Sequence, residues 1–426
     1  MGSKSTKHRS DDTEWISEVP KIVKAVQMDP YSPAQFFRTA GLPENGLVAY
    51  QGKPVYVRRV SGAVRVMQLS VGACPVTIWG EYHRQLQQKP STYLCALCDT
   101  PARGCFSVPS LIAFAEPRAL VLNEMSPLDS KYGELNVSCT TRAHKAVTCV
   151  DVDPRSSSPF HHPEDAMRRN PFLVLWSYYV RPSAEHALFW HTEASTQLRA
   201  LHKTIRTGGP EAVKAKDVVL KLSTDVAYEM YTSLHAGKLS SEQFHDIAAR
   251  ARNINWYLYQ NEPRMRAAVK SDPVYLFSSN FEMYDGKHGG VFELFTDVTL
   301  CSLDIPMAEY VCAEAARKDA APRPVHCLIG DFHSYGVMAA ILAINNRKLP
   351  IRIQTISGTR SVIHETSACF HPLSGNMEPV EPIVEPEKLH QRLMPLDKPS
   401  LPAPKRPRIE ATAPAAQRMI KRRRGR

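Results

Sequence analysis

From Met377 to Arg426 the chain carries nine prolines in 50 residues, and this stretch limits what the sequence can fold into more than any other. Each proline fixes φ at about −65° and removes a backbone donor, so neither a helix interior nor a central strand tolerates such a density. We therefore expect residues 377–426 to form a disordered tail and the fold to lie ahead of it. Residues 1–13 are polar and charged and read as a flexible arm. That leaves residues 14–376 for a packed body, and an apolar content of 43% is enough for a core.

The tail also concentrates charge. Its twelve Lys and Arg against six Asp and Glu give a net +6 of the chain's +11. Lys405, Arg406 and Arg408 are followed after twelve residues by Lys421, Arg422, Arg423 and Arg424. Two basic clusters on an extended segment suit the acidic, tryptophan-lined grooves of a nuclear-import receptor (importin alpha), with the linker letting both engage together. The plainer reading is a solvated basic tail that adds non-specific affinity for RNA. No run approaches the roughly 18 to 20 apolar residues needed to span a bilayer, and the N-terminus lacks the apolar segment of a secretory signal. We expect no membrane partner, and reduced thiols for the ten cysteines in a cytosolic or nuclear setting.

Within the body, Pro54 to Leu69 reads as a β-hairpin turning at Ser61-Gly62, with valines 55, 57, 64 and 66 inward and Arg58 and Arg65 outward. Ser240 and Gln243 have capping-box spacing, ahead of a stripe of Phe244, Ile247, Ala251, Ile254 and Leu258. A helix is expected before it, from near Thr224 to Gly237. Another is expected over Ser334 to Ile344, stopping at Asn345-Asn346, and Leu349 to Ile356 reads as a short strand. These patterns predict a mainly α body carrying small β elements.

Cations recur in the body: Arg58, Arg59 and Arg65 on the hairpin; Arg199, Lys203 and Arg206 at i, i+4, i+7 on one helix face; then Arg250 and Arg252. Such rows can track successive phosphates, and equally they can be solvated faces. Tyr56 and Trp256 are among the aromatics that could stack on bases, though aromatics in apolar company usually belong to a core. Cys95 and Cys98, with Cys105 beyond, could supply thiolates to zinc, but a single CxxC without a second spaced pair favours small buried residues and no metal. Glu116, Glu124, Asp151 and Asp153 could hold Mg²⁺ for phosphodiester cleavage, yet follow no recognisable spacing. No Walker loop, nucleophile elbow or dinucleotide fingerprint is present, and we expect neither an enzyme nor a cofactor.

Several segments, in the same order, resemble the nucleoproteins of influenza-type viruses, the orthomyxoviruses. GKPVYVRRVSG (Gly52 to Gly62) is similar to that family's Pro-Ile-Tyr-Arg-Arg-Val-Asn-Gly stretch, and Ile78-Trp79 follows at about the right distance. LRALHKTIRTGG (Leu198 to Gly209), SEQFHDIAARARN (Ser241 to Asn253), HCLIGDFHSYGVMAAI and RIQTISG resemble later family segments, and MGSKSTKHRS looks like its N-terminal import signal. The resemblance implies a mainly α, two-lobed nucleoprotein with head and body, a small β-hairpin and a basic groove. It implies encapsidation of single-stranded genomic RNA through backbone contacts, self-assembly into a homo-oligomer, and a viral RNA polymerase as partner. It places the protein in the virion and in the host nucleus and cytoplasm. Carried across by position, the RNA contacts would be Arg58, Arg59, Arg199 and Arg206, followed by Arg250 and Arg252. Two departures stand out. Residues 86–170 are much longer than the family's counterpart, and no oligomerising tail loop is visible after Ser367. The alternative is a zinc-containing nuclear RNA-binding regulatory or adaptor protein of a virus.

Overall fold

The computed structural model describes residues 17–61, 63, 65–81, 101–114, 118–124, 147–152, 193–232, 238–261, 291–357 and 367–380. Its centre is a seven-stranded mixed sheet, which corrects the expectation of a mainly α, two-lobed helical body. In spatial order the strands are β1 (Gln27–Met28), β11 (Ile351–Ser357), β5 (Arg65–Val71), β6 (Cys74–Glu81), β10 (Val325–Gly330), β8 (Leu120–Asn123) and β9 (Thr148–Asp151). All run the same way except β5, which is antiparallel to both neighbours. Every residue of β10 (VHCLIG) and β8 (LVLN) is buried. Mostly apolar runs buried along their whole length suit strands covered on both faces, and they carry no alternation to betray them.

The hairpin expected around Ser61-Gly62 does not form. β5 pairs with β11 and β6, while β4 (Arg59–Ser61) enters a separate four-stranded sheet of order β13 (Asn376–Val380), β12 (Ser367–His371), β4 and β7 (Cys105–Ser107). The true hairpin comes earlier, where β2 (Leu47–Tyr50) pairs with β3 (Lys53–Tyr56) across Gln51 and Gly52. Those two residues have φ of 49° and 75°, the double positive φ of a type I′ turn, whose twist matches that of the strands. Met377 to Val380, the first part of the proline-rich stretch, belong to β13. Pro379 is accommodated there because β13 is an edge strand. Residues 381–426, with both basic clusters, lie outside the described residues.

One face of the large sheet is covered by helices: α1 (17–24), α5 (Gly209–Thr232), α6 (Ser241–Asn261), α7 (Val291–Ala315) and α8 (Asp331–Asn345). Met67, Leu69, Ile78 and Ile329 of the sheet meet Tyr231, Phe244, Val311 and Met338 there. A further helix, α4 (Glu193–Thr207), packs on α5. The other face meets α2 (Pro33–Thr39), α3 (Val108–Phe114) and the four-stranded sheet, with Val66, Trp79 and Leu328 packed against Phe36, Phe106 and Phe370. The Phe36 ring lies 6.3 Å from Trp79, edge-on, and 4.7 Å from Phe370.

The helix signals were well placed. Ser240 Oγ accepts from the Gln243 N–H at 3.2 Å, and Gln243 Oε1 accepts from the Ser240 N–H at 2.9 Å, the reciprocal capping box at the start of α6. All five stripe residues from Phe244 to Leu258 are buried. Asn346 ends α8 with φ 41° and ψ 49°, a left-handed cap. α5 begins at Gly209 rather than near Thr224. Among the described residues no helix is long and apolar enough to cross a membrane.

Candidate nucleic-acid interface

Leaving β3, the chain crosses the short turn at Pro101–Arg103. The Arg58 N–H donates to the Gly104 carbonyl at 2.8 Å and the Arg59 N–H reaches the same oxygen at 3.2 Å. Gly104 has φ 80°, and a Cβ there would lie 2.1 Å from the Tyr56 carbonyl, so only glycine lets the two segments meet. The result gathers Arg58, Arg59 and Arg103 at the surface beside Tyr56, a residue 55% exposed. Among the described residues neither Arg58 nor Arg103 has a carboxylate partner. Cations next to an exposed ring offer phosphates a partner and bases a stacking platform.

The other expected contacts are scattered. Arg199, Lys203 and Arg206 fall on α4; Lys203 is exposed, and the side chains of the two arginines lie outside the described residues. α4 sits with the helices on one face of the large sheet, whereas β4 and its sheet cover the other. Arg250 is half-buried and donates through Nε to Asp246 Oδ1 at 3.0 Å; Arg252 is half-buried on the same helix. Cys95 and Cys98 are outside the described residues, and Cys105 sits half-buried on β7. Among the described residues no group of three His, Cys, Asp or Glu is placed to hold a metal ion.

Arg65 is the clear correction. Expected to face solvent on a hairpin, it is 2% exposed on a strand covered from both sides. Its Nε donates to Asp331 Oδ1 at 2.7 Å and its Nη2 to Asp331 Oδ2 at 3.1 Å, a two-pronged pair that occupies the guanidinium away from any RNA. Ser334 Oγ donates to Asp331 Oδ1 at 3.2 Å, and the guanidinium carbon stands 5.3 Å from the centre of the Tyr335 ring. Beside this pair, His333 Nδ1 lies 2.8 Å from Asp304 Oδ1, and its Nε2 lies 3.6 Å from Glu124 Oε1. Glu124 Oε2 accepts the Gly330 N–H. Burial lifts the Asp304 carboxyl to about 6, with His333 opposing the rise and Glu124 adding to it.

Arg103 was not anticipated, although an arginine before a glycine in a Pro-containing turn is a usable signal. The cluster around Arg65 draws on β5, β8, α7 and α8, and only its strand-terminal pattern, an apolar run ending in Gly330-Asp331, was open to reading.

Comparison with family models, with curated proteins and with solved structures finds no match to this chain.

Proposed function

We propose that this chain binds single-stranded RNA through backbone contacts at the Tyr56–Arg58–Arg59–Arg103 surface and works as a nuclear, self-assembling nucleoprotein on an α/β body. The observation that carries the reading is the meeting of these cations with an exposed tyrosine on one surface. The resemblance of Gly52 to Gly62 to influenza-type nucleoproteins points to the same residues. The chain's net charge of +11 favours polyanionic partners in general. On this reading the two basic clusters of the tail address the protein to importin alpha. The viral polymerase, the virion and the oligomer follow from the same proposal.

The test is binding of labelled RNA by the full chain across a salt series. Homopolymeric and mixed single strands should bind alike and lose affinity steeply, with roughly 0.7 added to the log-log slope for each phosphate neutralised. Preference for one duplex sequence, with affinity kept at high salt, would contradict the proposal.

A further inference from the structure

The β2–β3 hairpin has two faces of different character. Val48 stands opposite Val55 and Tyr50 opposite Lys53, while Leu47 stands opposite Tyr56 and Ala49 opposite Pro54. Side chains alternate across a strand, so each set takes one face. The first face turns inward: Val48 is buried, Val55 packs against the same core, and the Tyr50 ring meets the Phe114 ring edge-on at 5.3 Å. The second faces outward, with Ala49, Pro54 and Tyr56 exposed and Leu47 half-buried. A strand with one wet face ordinarily carries polar residues there, and this outer face has only apolar and aromatic ones.

The hairpin is also held in place. Directly after β3 the Val57 N–H donates to the Gly46 carbonyl at 2.9 Å. Gly46 has φ 69°, and a Cβ there would lie 2.5 Å from the Phe37 ring, so the start of the hairpin sits tightly on α2. A surface ordered in advance loses little conformational entropy when a ligand settles on it. Burial continues to alternate past the strand, where Val57 is buried and Arg58 exposed. The turn carrying Arg103 packs against β3. Glu44, the carboxylate nearest to β2 in sequence, is paired with Arg38. The apolar face is thus bordered by cations, which fits an anionic polymer with flat apolar groups.

We infer that this outer face, formed by Leu47, Ala49, Pro54 and Tyr56, is a seat for unpaired nucleobases, so that a bound strand lies with its bases against the hairpin and its phosphates toward Arg58 and Arg103. The inference rests on the RNA-binding reading above and adds to it the orientation of the strand. Every base has a π-face for the Tyr56 ring, so the seat takes bases without reading sequence. Only unstacked, unpaired bases can reach it; those of a duplex are covered by their neighbours. A second copy of the chain suits the face less well, because a two-fold contact would set these arginines against their own equivalents.

The test measures binding by the full chain of a mixed-sequence single-stranded RNA, of an abasic strand of the same length, which keeps the phosphates and lacks the bases, and of the RNA annealed to its complement. Wild type should hold the RNA about fivefold or more tighter than the abasic strand. Tyr56→Ala should remove that advantage, leaving the two strands bound alike, with duplex binding and the salt slope unchanged because no phosphate contact is lost. Tyr56→Phe keeps the ring and should stay within about twofold of wild type. Wild-type RNA affinity in Tyr56→Ala, or an equal loss for RNA and abasic strand, would overturn the seat while leaving the arginine surface standing. Loss of self-association in Tyr56→Ala with RNA affinity intact would overturn it in favour of a contact between copies. A wild-type chain that holds none of the three strands would overturn the RNA-binding reading and the seat together.

Discussion

Arg65 and His326 show how single buried groups set the stability of this fold. Arg65 is neutralised by Asp331 through two hydrogen bonds in a site closed to solvent. Removing one partner strands the other charge, so Arg65→Ala should cost about 3–5 kcal/mol in urea unfolding. Replacing both, as Arg65→Met with Asp331→Leu, should cost less than either single change, because no charge is left behind. His326 is fully buried and its Nδ1 accepts the Trp79 indole N–H at 3.0 Å. Burial pushes its pKa down from 6.5 to about 4. The unfolded chain therefore takes up a proton between about 6.5 and 4 that the folded chain refuses, and stability falls by about 1.4 kcal/mol per pH unit as pH drops through that window. Asp304, raised to about 6, works in the opposite sense between about 4 and 6 and partly hides the loss. Stability measured for wild type and His326→Gln across this range should shift steadily in favour of the variant as pH falls. A pH-independent difference would show that His326 is charged in the fold.

Elements divide by how their pattern was written. α6 was legible because a local signal starts it, the Ser240–Gln243 box, and a 3.6-residue stripe continues it to Leu258. Ser240→Ala should therefore cost about 1 kcal/mol of thermal or urea stability without changing RNA affinity. α8 was legible for the same reason at its other end, where Asn346 stops it. The sheet was not, because β8 and β10 are short, mostly apolar runs without alternation that a buried helix could equally carry. Their partners are also far away in sequence: β10 pairs with β6 through Val325 and Val76. The alternation of Val55, Val57 and Val66 suggested one hairpin, yet β4 and β5 answer to different sheets, and only Gln51-Gly52 has the backbone for a two-residue turn. The same misreading sent Arg65 outward: alternation predicts a solvent side, and a strand covered on both faces has none. Arg58, which the same alternation sent outward, does lie at the surface, as does its neighbour Arg59.

At the scale of the whole molecule, the proposed roles separate along the chain: the Tyr56–Arg58–Arg59–Arg103 surface belongs to the side of the four-stranded sheet, and the basic clusters to the tail. Although the tail holds +6 of the +11 net charge, the account gives it an addressing role and gives the folded body the grip on RNA. The most direct measurement of that division compares single-stranded RNA affinity, at one salt concentration, for the full chain, for Arg58→Ala/Arg59→Ala/Arg103→Ala, and for a chain lacking residues 404–426. The account predicts that the triple substitution weakens binding about tenfold or more and flattens the salt slope by roughly 2, while the shortened chain stays within about threefold of the full one. Full affinity in the triple variant together with its loss on removing the tail would contradict it.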